Sequence, residues 1–69
     1  MSQIKIILNG EEKILQDKIT IAELISNLGL DVKKIAIEKD LEIVIPEQFS
    51  RVLLDDGSRI EIVHFIGGG

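Results

Sequence analysis

The 69-residue chain predicts an α+β domain in which a mixed β-sheet packs on one helix, in the order β-β-α-β-β-β. Three observations lead there. Strand-like alternation lies on both sides of a single stretch with helical spacing. Tight-turn residues fall between the apolar runs. Ile and Val supply 18 of the 31 apolar residues, and branched side chains suit a pleated surface. A chain of this size buries only about 60% of the surface its unfolded form exposes, so each apolar position carries weight.

The first strand is set by Ile4, Ile6 and Leu8, which alternate with Gln3, Lys5 and Ile7. Asn9-Gly10 follows at once, and both residues tolerate the positive φ of a type I′ hairpin turn. The return strand is expected from Glu11 to Leu15, with Asp17-Lys18 releasing the chain from the sheet. In "TIAELISNLGL", Thr20 caps a helix and Glu23 completes a capping box. Ile21, Leu24, Ile25 and Leu28 form its apolar face, and Gly29 fits the left-handed position past its end.

"KIAIEKDLEIVIP" predicts a second pair of strands, Ile35 to Glu38 and Glu42 to Ile45, joined by a bend at Lys39 to Leu41 and stopped by Pro46. "EQFSRVL" has no clean period and is expected to cross the sheet as a turn or one helical turn, anchored by Phe49, Val52 and Leu53. "DDGS" turns the chain into a final strand, "RIEIVHFI". One helix between two hairpin-like pairs is the β-grasp layout, expected over residues 1–66, with 67–69 as a flexible C-terminal glycine tail. Strand order does not follow from these signals.

Composition excludes several kinds of function. The net charge is −4, and no Lys/Arg cluster offers a footprint for nucleic acid. No apolar run approaches the ~20 residues that span a bilayer, and the start lacks a secretory pattern, so a soluble cytoplasmic protein with no membrane partner is expected. Without cysteine there is no disulfide, thiol nucleophile or thiolate metal site. The lone His64 cannot build a metal site or a nucleophilic triad and is expected to be a sheet-edge residue sharing a face with Ile60, Ile62 and Ile66. Glu11-Glu12 and Asp55-Asp56 are adjacent pairs whose side chains point apart, which suits solvated charges better than acid–base catalysis. No catalytic residue and no metal ligand is assigned.

Two features remain. If Ile60 and Ile62 face the helix, Val63 and Phe65 face outward beside the terminus, as candidate docking residues or as ordinary surface scatter. After them comes Gly67-Gly68-Gly69, which adds nothing to packing. Three extended residues reach about 10 Å, so a thin arm could carry a carboxylate into a narrow tunnel while the domain stays at its mouth. That carboxylate is ionised at neutral pH, and it must be activated before it can carry anything.

The chain resembles the sulfur carrier proteins of thiamine biosynthesis, in the ubiquitin-like β-grasp group. The resemblance covers nearly its whole length: "LNGE" at Leu8 to Glu11, "TIAELI" at Thr20 to Ile25, "IAIEKDLEIV" at Ile35 to Val44, and "DDGSRIEIVHFIGGG" at Asp55 to Gly69. Asp40 and Ser58 stand where the family commonly has Asn and Asp, both at turns. The resemblance implies that Gly69 is the site of adenylation and thiocarboxylate formation, with Gly68 completing the double glycine. It implies an adenylating enzyme related to the ubiquitin activators, using ATP and Mg²⁺, a persulfide sulfur donor of the cysteine desulfurase kind, and thiazole synthase as acceptor. On that reading the chain is a carrier and co-substrate that binds no cofactor itself. The small subunit of molybdopterin synthase has the same fold and terminal chemistry, but usually carries a Pro-Pro pair where His64-Phe65 stands here. A ubiquitin-like modifier, with Gly69 joined to lysine, and an interaction domain with an inert tail are further alternatives.

Overall fold

A computed structural model describes residues 2–65. The elements are β1 (Gln3–Leu8), β2 (Glu11–Gln16), α1 (Ile21–Leu28), β3 (Ile35–Lys39), β4 (Glu42–Val44) and β5 (Arg59–His64), with single 3₁₀ turns at Val32–Lys34 and Pro46–Gln48. They form one five-stranded sheet in the order β2-β1-β5-β3-β4. β1 and β5 run parallel, and the other pairs are antiparallel. Among the described residues, the last element in sequence is therefore the middle of the sheet.

The period-two pattern of the strands decides which face is dry. Ile4, Ile6, Leu8, Ile35, Ile37, Val44, Ile60 and Ile62 point to one side, where Ile21, Leu24 and Ile25 of α1 meet them. Ile19, Phe49 and Leu54 close the core. The helix begins as the sequence predicts: Thr20 Oγ1 accepts from the Glu23 amide at 3.1 Å, and Glu23 Oε1 accepts from the Thr20 amide at 2.9 Å. Two further amides of its first turn donate to the 49–52 segment, Ile21 N to Val52 O at 3.0 Å and Ala22 N to Phe49 O at 2.9 Å. The helix start thus leaves few donors unpaired. Gly29 ends it at φ 71°.

Four expectations change. Leu53 is exposed and Leu54 is the buried anchor, because the chain past Arg51 is extended rather than helical. Leu54 N donates to Ile19 O at 2.9 Å, and alternation then turns Val52 and Leu54 inward and Leu53 out. Leu28, the last residue of α1, is exposed rather than part of the buried helix face. Ile45 lies one residue beyond β4, half exposed. His64 belongs to the central strand, yet β1 pairs with β5 only at Ile7↔Arg59 and Leu8↔Ile60, so Val63 and His64 at the end of β5 are paired with β3 alone. Ile66 lies outside the described residues.

Candidate functional site

β5 is the element that delivers the chain to its C-terminal glycines, and it is gripped at both ends by side chains from the two hairpin turns. At the far end, Asn9 leaves β1 at φ 48° and turns its amide onto β5. Its Oδ1 accepts from Ile62 N at 2.7 Å and its Nδ2 donates to Ile62 O at 3.3 Å, so one side chain imitates one more residue of β1. On the other side, Phe65 N donates to Lys34 O at 2.8 Å. The backbone is therefore held as far as Phe65. Gly67, Gly68 and Gly69 lie outside the described residues.

At the near end, Asp40 and Arg59 exchange backbone and side-chain bonds. Asp40 N donates to Arg59 O at 2.8 Å, and Asp40 Oδ1 accepts from Arg59 N at 2.9 Å. Lys39 Nζ reaches Asp40 Oδ2 at 3.1 Å and Asp55 Oδ2 at 3.3 Å. The Arg59 amide, then the Lys39 ammonium, hold the Asp40 carboxyl below the usual carboxylate range. The hydrogen bond to Asp40 raises Lys39 above the ordinary lysine range, and partial burial works against it.

The adjacent carboxylates are exposed, as expected of solvated charges, and three of the four also make structural contacts. Asp56 Oδ1 accepts from Lys5 N at 2.8 Å, Asp55 pairs with Lys39, and Glu12 lies 3.8 Å from Lys5 Nζ. Ser58 is buried, its hydroxyl accepting from Asp55 N at 2.9 Å. The roles of Asn9 and Asp56 on distant strands were not legible from sequence. Their types fit a local turn, and only the topology brings them to β5 and β1.

Around the exit of β5, the face turned away from α1 carries apolar groups. Val63 and Phe65 are 59% and 57% exposed, and Ile43 of β4 and Ile45 stand exposed on the same side. Half-buried Glu38 and Glu61 face each other across β3 and β5, with Ile43 opposite Glu38 on its other flank. His64 is exposed, opposite Ile35. Among the described residues no three His, Asp or Glu side chains gather as a metal site, and no helix is long and apolar enough to cross a membrane. Shallow grooves flank β2, lined by Ile14, Gln16 and Lys18, two strands away from β5.

Comparison with known proteins places this arrangement. The model of the ThiS family matches residues 3–69. The chain is 41% identical over 63 residues to the "Sulfur carrier protein ThiS" of Bacillus subtilis, covering 90% of this chain and 96% of that one. It is 43% identical over 65 residues to a protein named thiazole synthase from Paramagnetospirillum magneticum, covering 94% of this chain but only 20% of that protein's length. A second protein of that name, from Magnetococcus marinus, is 38% identical over 65 residues, again over 20% of its length. The crystal structure of a thiamine biosynthesis protein (ThiS) from Geobacter metallireducens superposes with a TM-score of 0.83 at 25% identity, covering 96% of this chain and all of that one. With one helix on a mixed sheet, a strand leading to three glycines, and a family match that runs through them, the chain belongs to the ThiS family.

Proposed function

We propose that this chain is a sulfur carrier whose Gly69 carboxylate is adenylated, converted to a thiocarboxylate, and used to donate sulfur for thiazole formation in thiamine biosynthesis. The observation that carries this reading is the match to a sulfur carrier over nearly all of both chains, within a family match that includes Gly67, Gly68 and Gly69. An ionised carboxylate is a poor electrophile. Attack of its oxygen on the α-phosphorus of ATP, with Mg²⁺ on the phosphates and pyrophosphate leaving, makes an acyl-adenylate. A persulfide sulfur then attacks the acyl carbon and expels AMP, and thiol cleavage of the remaining S–S bond frees the thiocarboxylate. The ATP, the Mg²⁺ and the catalyst belong to an adenylating enzyme related to the ubiquitin activators, and the sulfur to a cysteine desulfurase system.

Val63 and Phe65 dock that enzyme in this reading, and Gly67 and Gly68 form the narrow approach. The two matches to proteins named thiazole synthase support thiazole synthase as acceptor. The test is intact mass after incubation with the cognate adenylating enzyme, ATP and a persulfide donor. The expected result is replacement of one oxygen by sulfur at Gly69, followed by loss of that sulfur to thiazole when thiazole synthase and its substrates are added. An unchanged mass removes the carrier reading. Sulfur passed to a molybdopterin precursor and not to thiazole removes the thiamine assignment.

A further inference from the structure

Glu38 and Glu61 are an unfavourable arrangement for the isolated domain. They are directly opposed on neighbouring strands, where Cβ atoms sit about 4.5–5.5 Å apart and like charges destabilise the sheet. Both are half-buried. Among the described residues the cations flanking them along these strands form no ion pair with them: Lys39 points to the helix side, bonded to Asp40 and Asp55, and Arg59 is in none of the ion pairs. Among the described residues the ion pairs are Lys5–Glu12, Lys39–Asp40 and Lys39–Asp55, and neither glutamate is in one. Around the pair stand exposed Ile43, Ile45 and Val63, with Phe65 toward the tail.

The geometry points to a gate built into the docking face: the Glu38–Glu61 pair receives a lysine or arginine from an apolar face of the adenylating enzyme and keeps the same face from pairing with a second copy of this chain. The inference rests on the carrier reading above. Residues 66–69 span at most about 14 Å when extended, so an enzyme holding Gly69 lies close to the end of β5, where Val63 and Phe65 stand exposed on this face. A partner's cation between apolar contacts is desolvated there together with both carboxylates, where charge pairing sets specificity. A second copy docked about a two-fold axis would bring four carboxylates together, on a chain already carrying −4.

The experiment is titration calorimetry of the cognate adenylating enzyme with wild-type chain and with Glu38→Gln/Glu61→Gln, at low and high salt, alongside sedimentation of each carrier alone. Wild-type chain is first shown to gain sulfur at Gly69. Failure there counts against the carrier reading, whereas the comparison of variants judges the gate. The double variant is expected to bind about tenfold more weakly at low salt, to lose most of the salt dependence, and to self-associate at concentrations where wild type is monomeric. Removing like-charge repulsion stabilises the sheet, so an unchanged or higher Tm shows that weaker binding is not unfolding. Phe65→Ala is expected to weaken binding while leaving its salt dependence intact. Equal affinity and equal salt dependence for wild type and the double variant overturn the proposal, and so does a wild-type dimer formed through Ile43 and Val63.

Discussion

The two hairpins reverse direction along the same backbone path with different residues. Asn9-Gly10 turns at φ 48° and 84°, and Asp40-Leu41 turns at 52° and 73°. In each, the first turn residue reaches sideways to β5, Asn9 at Ile62 and Asp40 at Arg59. The difference lies in how each turn is held. Asn9 and Gly10 are at ease with positive φ, and the grip on β5 is neutral. Leu41 is not at ease there, and Asp40 grips the Arg59 amide through a charged carboxylate that also pairs with Lys39. A turn can therefore be specified by local preference or imposed by the strands and charges around it, and only the first kind is conspicuous in a sequence.

The largest effect is expected where the comfortable turn is broken. Asn9→Ala removes both bonds to Ile62 and places a β-carbon residue at positive φ without a compensating side-chain contact, so urea unfolding should show a loss of about 2 kcal/mol. A loss near zero would mean that water replaces the side chain and that β5 is held by β3 alone. The imposed turn should respond in the opposite sense. Leu41 is 81% exposed, so Leu41→Gly gives up little burial while relieving the strain, and a gain of about 1 kcal/mol or less is expected after the added freedom of the unfolded chain is subtracted. Destabilisation by that change would show that the leucine side chain is used in the fold.

The smallest effect separates the two grips by charge. A carboxyl whose folded pKa is depressed contributes stability above its unfolded pKa and loses it as pH falls through the folded value. Asp40→Asn keeps the acceptor for Arg59 N but removes the charge. The variant should be less stable than wild type at neutral pH, by less than about 1 kcal/mol because the group is exposed, and should converge with it once the pH falls below the depressed folded value. Lys39 has the reverse sign, its contribution being present at neutral pH and lost as alkali titrates it above the ordinary lysine range. The Asn9 grip should show no such dependence. Parallel curves for wild type and Asp40→Asn across the acid range would place the acid sensitivity elsewhere.

What could be read beforehand follows the same division. Thr20, Glu23 and Gly29 set the helix through contacts a few residues apart, and Ile4, Ile6, Leu8, Ile60 and Ile62 set their faces by alternation, so local rules suffice. The anchor near residue 53 was misplaced because the extended path of the chain there is imposed by Ile19 and Thr20, more than thirty residues earlier. Strand order was not legible, since nothing local to Ile7 and Arg59 says that they are neighbours. For the site, alternation from Ile60 and Ile62 was enough to turn Val63 and Phe65 outward. The opposed Glu38 and Glu61 needed the β3–β5 register, which exists only in the folded sheet.

That the middle strand is also the latest element in sequence has a consequence for synthesis. Until β5 emerges, the two hairpins share no strand neighbour, because β5 lies between β1 and β3 in the sheet. Closing Ile7 onto Arg59 spans about fifty residues, a loop whose entropy is not repaid by any earlier strand pairing. A nascent chain stalled before β5 would thus hold a helix and two hairpins with no common sheet, leaving it open to proteolysis. Completion of the sheet therefore waits on a single late strand, and every strand pairing between the two halves of the sheet is made in that one step.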